Sequence, residues 1–150
     1  MNKIIAKVIN IEPGEIVSYI QVESGGEKLR LIKSVLPEWL SVGDKVECCI
    51  HEASVCVSKE CPGKVSIENR IGGRIKDIRS NDSLCELTFE SSLGEVVALI
   101  TQVSFNELDL QKENEATILM RGVDISVEPH YDTLDTLKRF QAVTRIKDAN

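Results

Sequence analysis

The chain has 150 residues, of which 42% are hydrophobic and 28% are charged, a composition that favours a folded protein over a disordered one. Its net charge of −6 argues against nucleic-acid binding, which requires a basic surface, and its aromatic content of 4% leaves no base-stacking platform. No segment reaches the ~20 consecutive apolar residues of a membrane helix, so membrane insertion is not expected.

The first residues are not expected to be an export signal. Lys3 precedes the short apolar run from Ile4 to Ala6, but Lys7 interrupts that run before it reaches the length of a signal core. We therefore predict a cytoplasmic protein.

Five cysteines are present, an odd number without the spacing of a disulfide framework, so in the cytoplasm we expect reduced thiols. Structural zinc sites use two pairs of ligands at short spacing. Only Cys56 and Cys61 approach such a pair, and no second pair exists, so no metal site is predicted.

The chain contains an internal repeat. Similar residues recur in the same order at offsets that grow from 67 to 68 and then to 70 positions. One pair for each offset is Asn2 with Asn69, Gly26 with Gly94, and Val57 with Val127. Matches that run in order with two small shifts are better explained by duplication than by chance similarity between β-rich segments.

Each repeat is predicted to form five short strands. In the first repeat, the strands from Ile4 to Ile11 and from Val17 to Glu23 are separated by a Pro-Gly turn. In the second repeat, Cys85, Leu87 and Phe89 alternate with polar residues, the period-two pattern of a half-buried strand. Five antiparallel strands within ~60 residues favour a small OB-like barrel.

We therefore predict an all-β chain of two tandem OB-like five-stranded antiparallel barrels with a short C-terminal helix. The first repeat covers residues 1–60, a linker covers 61–65, and the second repeat covers 66–129. The tail, residues 130–150, is expected to be helical because its apolar residues recur at helical spacing: Leu134, Leu137, Phe140 and Val143.

Three segments of the second repeat resemble a known family. Residues 66–75 read Ser-Ile-Glu-Asn-Arg-Ile-Gly-Gly-Arg-Ile, similar to the Ser-Ala-Arg-Asn-x-Leu-x-Gly-x-Val opening of Mop (molybdenum-pterin-binding-protein) or TOBE domains. Residues 100–104 resemble the family's Val-Thr-x-x-Ser segment, and residues 119–125 resemble its Leu-Ile-Lys-Ala-Ser-Asp-Val ending. The resemblance extends over residues 2–128 and implies a tandem pair of these domains. Since the chain has neither a helix-turn-helix segment nor a P-loop, it is most similar to the free-standing molbindins.

The family resemblance implies an oxyanion site between domains or subunits, lined by hydroxyls, backbone amides and a basic side chain. A tetrahedral dianion favours such charge-assisted donors because they are stronger than neutral ones. Carried over residue by residue, the resemblance assigns this site to Ser66, Asn69, Thr101, Arg121 and Gly122. Ser66 and Thr101 would donate hydroxyl hydrogen bonds, and Arg121 would supply the charge. The alternative is that Thr101 is an ordinary strand residue and Arg121 a solvated cation.

Four positions depart from the family pattern. Glu68 stands where the family has an arginine, and Val123 stands where it has a serine. In the first repeat, Lys33 and His51 replace the threonine and the lysine. The fold is therefore expected to be retained more closely than the anion site.

We expect molybdate or tungstate binding for storage, buffering or delivery, with assembly into a homo-oligomer, most simply a dimer, because family sites lie at interfaces. The alternative is a non-enzymatic interaction or regulatory module, associated with molybdate transporter components, that has lost the oxyanion. Glu68 favours this alternative, whereas Ser66, Thr101 and Arg121 favour binding. No catalytic motif occurs in a suitable context, so neither an enzyme nor a cofactor is predicted, and the ligand would be the oxyanion itself.

Overall fold

The computed structural model describes residues 1–130, and the predicted C-terminal helix lies outside the described residues. The first repeat forms five strands: β1 (Asn2–Glu12), β2 (Ser18–Ser24), β3 (Glu27–Lys33), β4 (Lys45–Ile50) and β5 (Cys56–Ser58). The second repeat forms five more: β6 (Asn69–Ser80), β7 (Leu84–Ser91), β8 (Gly94–Thr101), β9 (Glu115–Met120) and β10 (Ser126–Pro129). A seven-residue helix, α1 (Gln102–Leu108), follows β8. Over residues 1–130 the predicted all-β class is confirmed.

The strands form two five-stranded antiparallel sheets that exchange their fifth strands. The first sheet has the order β10-β4-β1-β2-β3, and the second has the order β5-β9-β6-β7-β8. Each sheet thus takes four strands from one repeat and one strand from the other. The predicted pair of five-stranded antiparallel units is confirmed, and each unit is completed by the fifth strand of the other repeat.

A 3-10 turn after the fourth strand of each repeat accompanies this exchange. It covers Glu52–Ser54 in the first repeat and Gly122–Asp124 in the second. The residues that flank the first turn are extended, since His51 has φ −66° and ψ 142° and Val55 has φ −83° and ψ 120°. The chain therefore continues to the neighbouring sheet instead of folding back as a hairpin. Alternating apolar residues predict a strand but do not specify its partner.

The pairing registers of the two repeats are equivalent. Asn2 lies opposite Ile50 in the first sheet, and Asn69 lies opposite Met120 in the second. Both β1 and β6 also carry a register shift at equivalent positions in their pairing with the next strand. This agreement, strand by strand, supports the internal duplication.

One predicted alignment between the repeats is wrong. In the turn between the second and third strands, Ser24 lies opposite Glu27 and Ser91 lies opposite Gly94. Gly94 therefore corresponds to Glu27 and not to Gly26, and the offset of 67 continues through the third strand. Gly26 and Gly94 were aligned because both are turn glycines, and both have positive φ, 82° and 94°. They occupy different positions in their turns, so identity of residue type gave the wrong alignment.

The apolar residues of both sheets form one core. Burial alternates along β1, where Ile4, Ala6 and Val8 are buried, and along β7, where Leu87 and Phe89 are buried. All five belong to a single cluster that spans the two repeats. Full burial of a large apolar side chain contributes about 1.5–3 kcal/mol, so the shared core supplies burial that a ~60-residue unit lacks by itself.

All five cysteines are free thiols. Cys48, Cys49 and Cys85 are buried, whereas Cys56 and Cys61 are exposed. Burial raises the pKa of Cys48 to about 12, so this thiol keeps its proton in the folded protein at neutral pH.

Candidate functional site

Two equivalent corners lie where the sheets meet. In one, the 3-10 turn Gly122–Asp124 packs against β3, and we call this the Gly122 corner. In the other, the 3-10 turn Glu52–Ser54 packs against β8, and we call this the Glu52 corner. Each corner therefore combines a turn from one repeat with the third strand of the other repeat.

A buried asparagine connects the sheets at each corner. Asn69, which is 2% exposed, accepts a hydrogen bond from the Arg30 amide (2.8 Å) and donates to the carbonyls of Arg30 (2.9 Å) and Met120 (3.0 Å). Asn2 makes the same pair of bonds with the Val97 amide and carbonyl, both at 2.8 Å. The side-chain amide of Asn69 donates to two backbone carbonyls, so in this structure it joins the two sheets. In the sequence, the recurrence of asparagine at the start of both repeats indicates that the two residues have an equivalent role.

Gly122 brings its turn close to β3. A Cβ atom at this position would lie 2.6 Å from the Arg30 carbonyl oxygen and 3.2 Å from Ile32 Cγ1, so only glycine fits without a shift. The Gly122 amide donates a hydrogen bond of 3.2 Å to the Glu68 carboxylate. The amide that the family resemblance assigns to an anion is therefore bound by a carboxylate of the chain itself.

The charged side chains of the Gly122 corner balance one another. The Arg121 guanidinium makes a bidentate ion pair with Asp124, with Nε–Oδ2 and Nη2–Oδ1 distances of 2.8 Å and 3.2 Å. Lys33, at the end of β3, is half-buried; burial lowers its pKa, and the nearby Cys48 and Asp124 oppose that shift. Together with Glu68, these residues give the corner two cations and two carboxylates.

Thr101 lies in the Glu52 corner. Its hydroxyl is the N-cap of α1, where it accepts a hydrogen bond from the Ser104 amide (3.1 Å) and donates to Ser104 Oγ (3.0 Å). Thr101 and Ala53 line the same surface cavity, whose volume is about 410 Å³. The predicted ligands are therefore divided between the two corners, although their order in the sequence indicated one site.

The exchange of strands explains this division. Thr101 ends β8, which packs against the turn of the first repeat and not against the turn of its own repeat. In the corrected alignment its counterpart is Ser34, which directly follows β3, the strand of the Gly122 corner. Motif reasoning missed this hydroxyl because it aligned Lys33 with Thr101. Ser66 is an exposed residue of the loop that leads through Glu68 into β6.

The Glu52 corner has different chemistry at the equivalent positions. His51 stands at the position of Arg121, and its Nδ1 accepts a hydrogen bond of 3.2 Å from an amide of the turn. The Glu52 carboxylate stands at the position of Gly122 and binds the amino group of Met1, which lowers the pKa of Glu52. This corner therefore has an acidic side chain at the position where the other corner has a glycine without a side chain.

Within residues 1–130, no group of three or more histidine, cysteine, aspartate or glutamate side chains lies close enough together to hold a metal ion. The same part of the chain has no helix that is long and apolar enough to cross a membrane. The donors at the corners are a backbone amide, hydroxyls and basic side chains, and they lie beside the carboxylates of Glu68, Asp124 and Glu52.

Comparisons with known proteins agree with this architecture. Residues 65–126 match the family model of the TOBE domain. No curated protein sequence matches the chain significantly. Among 41 matching chains of solved structures is the cytoplasmic molybdate-binding protein ModG, in a crystal form with molybdate bound. The match to ModG has a TM-score of 0.79 and 20% sequence identity, and it covers 86% of this chain and 96% of ModG.

The two comparisons describe different parts of the chain. At 20% identity, the match to ModG shows a shared fold, and because it covers 86% of this chain it includes both repeats. The family match covers the second repeat alone. The second repeat is therefore similar to the TOBE domain, and the first repeat has the same strand register.

Proposed function

We propose that this protein is a non-enzymatic, cytoplasmic binder of molybdate or tungstate that serves storage, buffering or delivery of the oxyanion. The observation that carries the proposal is the match of both repeats to ModG, whose crystal form holds molybdate. The TOBE domain at residues 65–126 supports the same assignment. The candidate sites are the two corners, because a turn of one repeat packs there against the third strand of the other repeat.

The Gly122 corner is the first candidate site. Its donors toward a tetrahedral dianion would be the Gly122 amide, the Arg121 guanidinium and the hydroxyls of Ser34 and Ser66. An arginine beside a backbone amide provides charge-assisted hydrogen bonds, which are stronger than neutral ones. At the Glu52 corner, the Thr101 hydroxyl would bind an anion in the cavity that Thr101 lines.

Thermal unfolding with added oxyanions tests this proposal. Molybdate or tungstate should raise the melting temperature more than sulfate does, because a ligand of the native state stabilises it by about 2.7 kcal/mol at a hundredfold excess over Kd. Arg121→Ala should reduce the response by removing the contribution of the Gly122 corner, whereas Arg79→Ala, at an arginine side chain that is 78% exposed, should retain it in full. Equal responses to sulfate and molybdate, or no response, would contradict the proposal.

A second candidate function is an interaction or regulatory module that has lost the oxyanion and works with molybdate transporter components. It is favoured because two donors of the Gly122 corner already have partners within the chain, Glu68 for Gly122 and Asp124 for Arg121. Under this hypothesis no oxyanion changes the melting temperature. Binding to purified transporter subunits should then be the same with and without molybdate, which a pull-down experiment measures.

We also propose that the protein is a homo-oligomer, most simply a dimer. Strands β3 and β10 end the first sheet, and β5 and β8 end the second. Terminal strands have backbone groups that a symmetric partner can cover, and closed symmetric assembly is the common solution. Sedimentation at micromolar concentration should therefore give at least twice the chain mass of 16.7 kDa. A monomer mass would contradict this proposal.

A further inference from the structure

The Glu68 carboxylate lies at the point of the Gly122 corner where the backbone can bind an anion. It accepts the hydrogen bond of the Gly122 amide at 3.2 Å. The next residue, Asn69, is held by three hydrogen bonds to the backbone of Arg30 and Met120, which keep the Glu68 backbone beside the turn. The position of the carboxylate is thus built into the link between the two sheets.

We infer that Glu68 is a tethered anion that competes with free oxyanions for the Gly122 corner and thereby determines which anions the site accepts. This inference rests on the proposed oxyanion binding. Glu68 is exposed, so its side chain can turn into solvent without uncovering apolar surface. Because the carboxylate is attached to the chain, it competes at an effective concentration on the order of millimolar.

The charges of the corner explain the expected selectivity. With Glu68 in place, the cations Arg121 and Lys33 are matched by two carboxylates, so the corner attracts a further anion only weakly. When Glu68 turns away, the corner has an excess of positive charge and a free amide. A monoanion that makes a single contact gains little over the tethered carboxylate. A dianion that contacts both Gly122 and Arg121 gains further charge-assisted bonds and can displace it.

Isothermal titration of the full chain with molybdate, in wild type and two Glu68 variants, tests the competition. Glu68→Ala removes both the charge and the acceptor, and it should tighten binding about tenfold or more. Glu68→Gln removes the charge but keeps an oxygen acceptor, so it should tighten binding less than alanine does. Glu15→Ala removes the same charge from an exposed loop and is the matched control, which should change the affinity less than about twofold.

The Gly122 amide supplies a second measurement that requires no ligand. Its NMR resonance should shift in Glu68→Ala without molybdate, because the hydrogen bond is lost, and should stay unchanged in Glu15→Ala. An unchanged Gly122 resonance in Glu68→Ala would overturn the inference. So would equal molybdate affinity in wild type and Glu68→Ala, but that result would leave the proposed function intact. If neither protein binds molybdate or tungstate, the proposed function fails and the inference fails with it.

Discussion

The two corners of this molecule share a backbone arrangement and differ in chemistry. Each has a 3-10 turn packed against the third strand of the other repeat, and each has a buried asparagine that links the sheets. In the Gly122 corner the turn begins with a glycine whose amide binds the Glu68 carboxylate. In the Glu52 corner the equivalent residue is a glutamate, whose carboxylate binds the amino group of Met1. After the duplication, the residues that hold the sheets together stayed the same and the residues that could hold a ligand diverged. The corners should therefore respond differently to substitution and to anions.

Replacing the linking asparagines should have the largest effect, and it tests whether the two links are equivalent. Asn69→Ala removes the partner of the Arg30 amide and of the carbonyls of Arg30 and Met120. Since each unsatisfied group costs about 1–3 kcal/mol, we expect a loss of roughly 3–5 kcal/mol in the free energy of unfolding. Asn2→Ala removes two bonds to Val97 and should cost less. Urea denaturation measures both variants, and a larger loss for Asn2→Ala would contradict the expectation that the number of lost hydrogen bonds determines the loss of stability.

Adding a methyl group at the Gly122 turn should have the next largest effect. In Gly122→Ala the new Cβ would meet the Arg30 carbonyl oxygen at 2.6 Å, so the turn or β3 must move, and we expect a loss of about 1–3 kcal/mol. Gly72→Ala, on β6 with no atom within 4 Å of the added Cβ, should change stability by less than about 0.5 kcal/mol. Chemical denaturation distinguishes these outcomes. Equal losses for the two variants would show that the contact with β3 is not the cause.

The two sheets should also differ in their response to alkali. Burial raises the pKa of Cys48 from 9.0 to about 12 in the first sheet, whereas the equivalent residue of the second sheet is Ile118. Between these values the unfolded thiol loses its proton while the folded thiol keeps it, so stability falls by about 1.4 kcal/mol per pH unit. Lys33 acts in the opposite direction: burial lowers its pKa below 10.5, so the unfolded state binds more protons and stability rises with pH in that window.

Substitution of Cys48 separates these two contributions. Cys48→Val should reduce the loss of stability between about pH 8 and pH 10, leaving the contributions of Lys33 and the other thiols. A branched apolar residue is compatible with this position, because Ile118 is fully buried at the same place in the second sheet. Ile118→Val is the control and should lower stability equally at both pH values. If Cys48→Val loses as much stability in alkali as wild type does, Cys48 is not the source of the effect.

The smallest expected effect tests the division of the predicted ligands between the corners. Thr101→Ala removes the N-cap of α1 and should cost about 1 kcal/mol of stability. Because Thr101 lies in the Glu52 corner, oxyanion binding at the Gly122 corner should persist in this variant and be lost in Arg121→Ala. Isothermal titration of the two variants measures this. Loss of all oxyanion binding in Thr101→Ala would instead assign Thr101 and Arg121 to one site.

Local sequence patterns determined the strands and the duplication of this protein. Period-two alternation around Cys85, Leu87 and Phe89 identifies a strand without reference to the rest of the chain, and all three side chains are buried in β7. The recurrence of Asn2 as Asn69 marks the start of each repeat, where both residues are buried. These features depend on short segments, so the order of residues is sufficient to predict them.

Which elements contact one another depends on the packing of the two sheets. Alternation cannot distinguish a fifth strand that closes its own sheet from one that joins the neighbouring sheet, and the exchange places Thr101 beside the turn of the first repeat. Likewise, the motif that identifies Gly122 does not reveal that its amide binds Glu68, a residue 54 positions earlier in the chain. Such contacts join segments that are far apart in sequence, and their geometry arises only when the two sheets pack together.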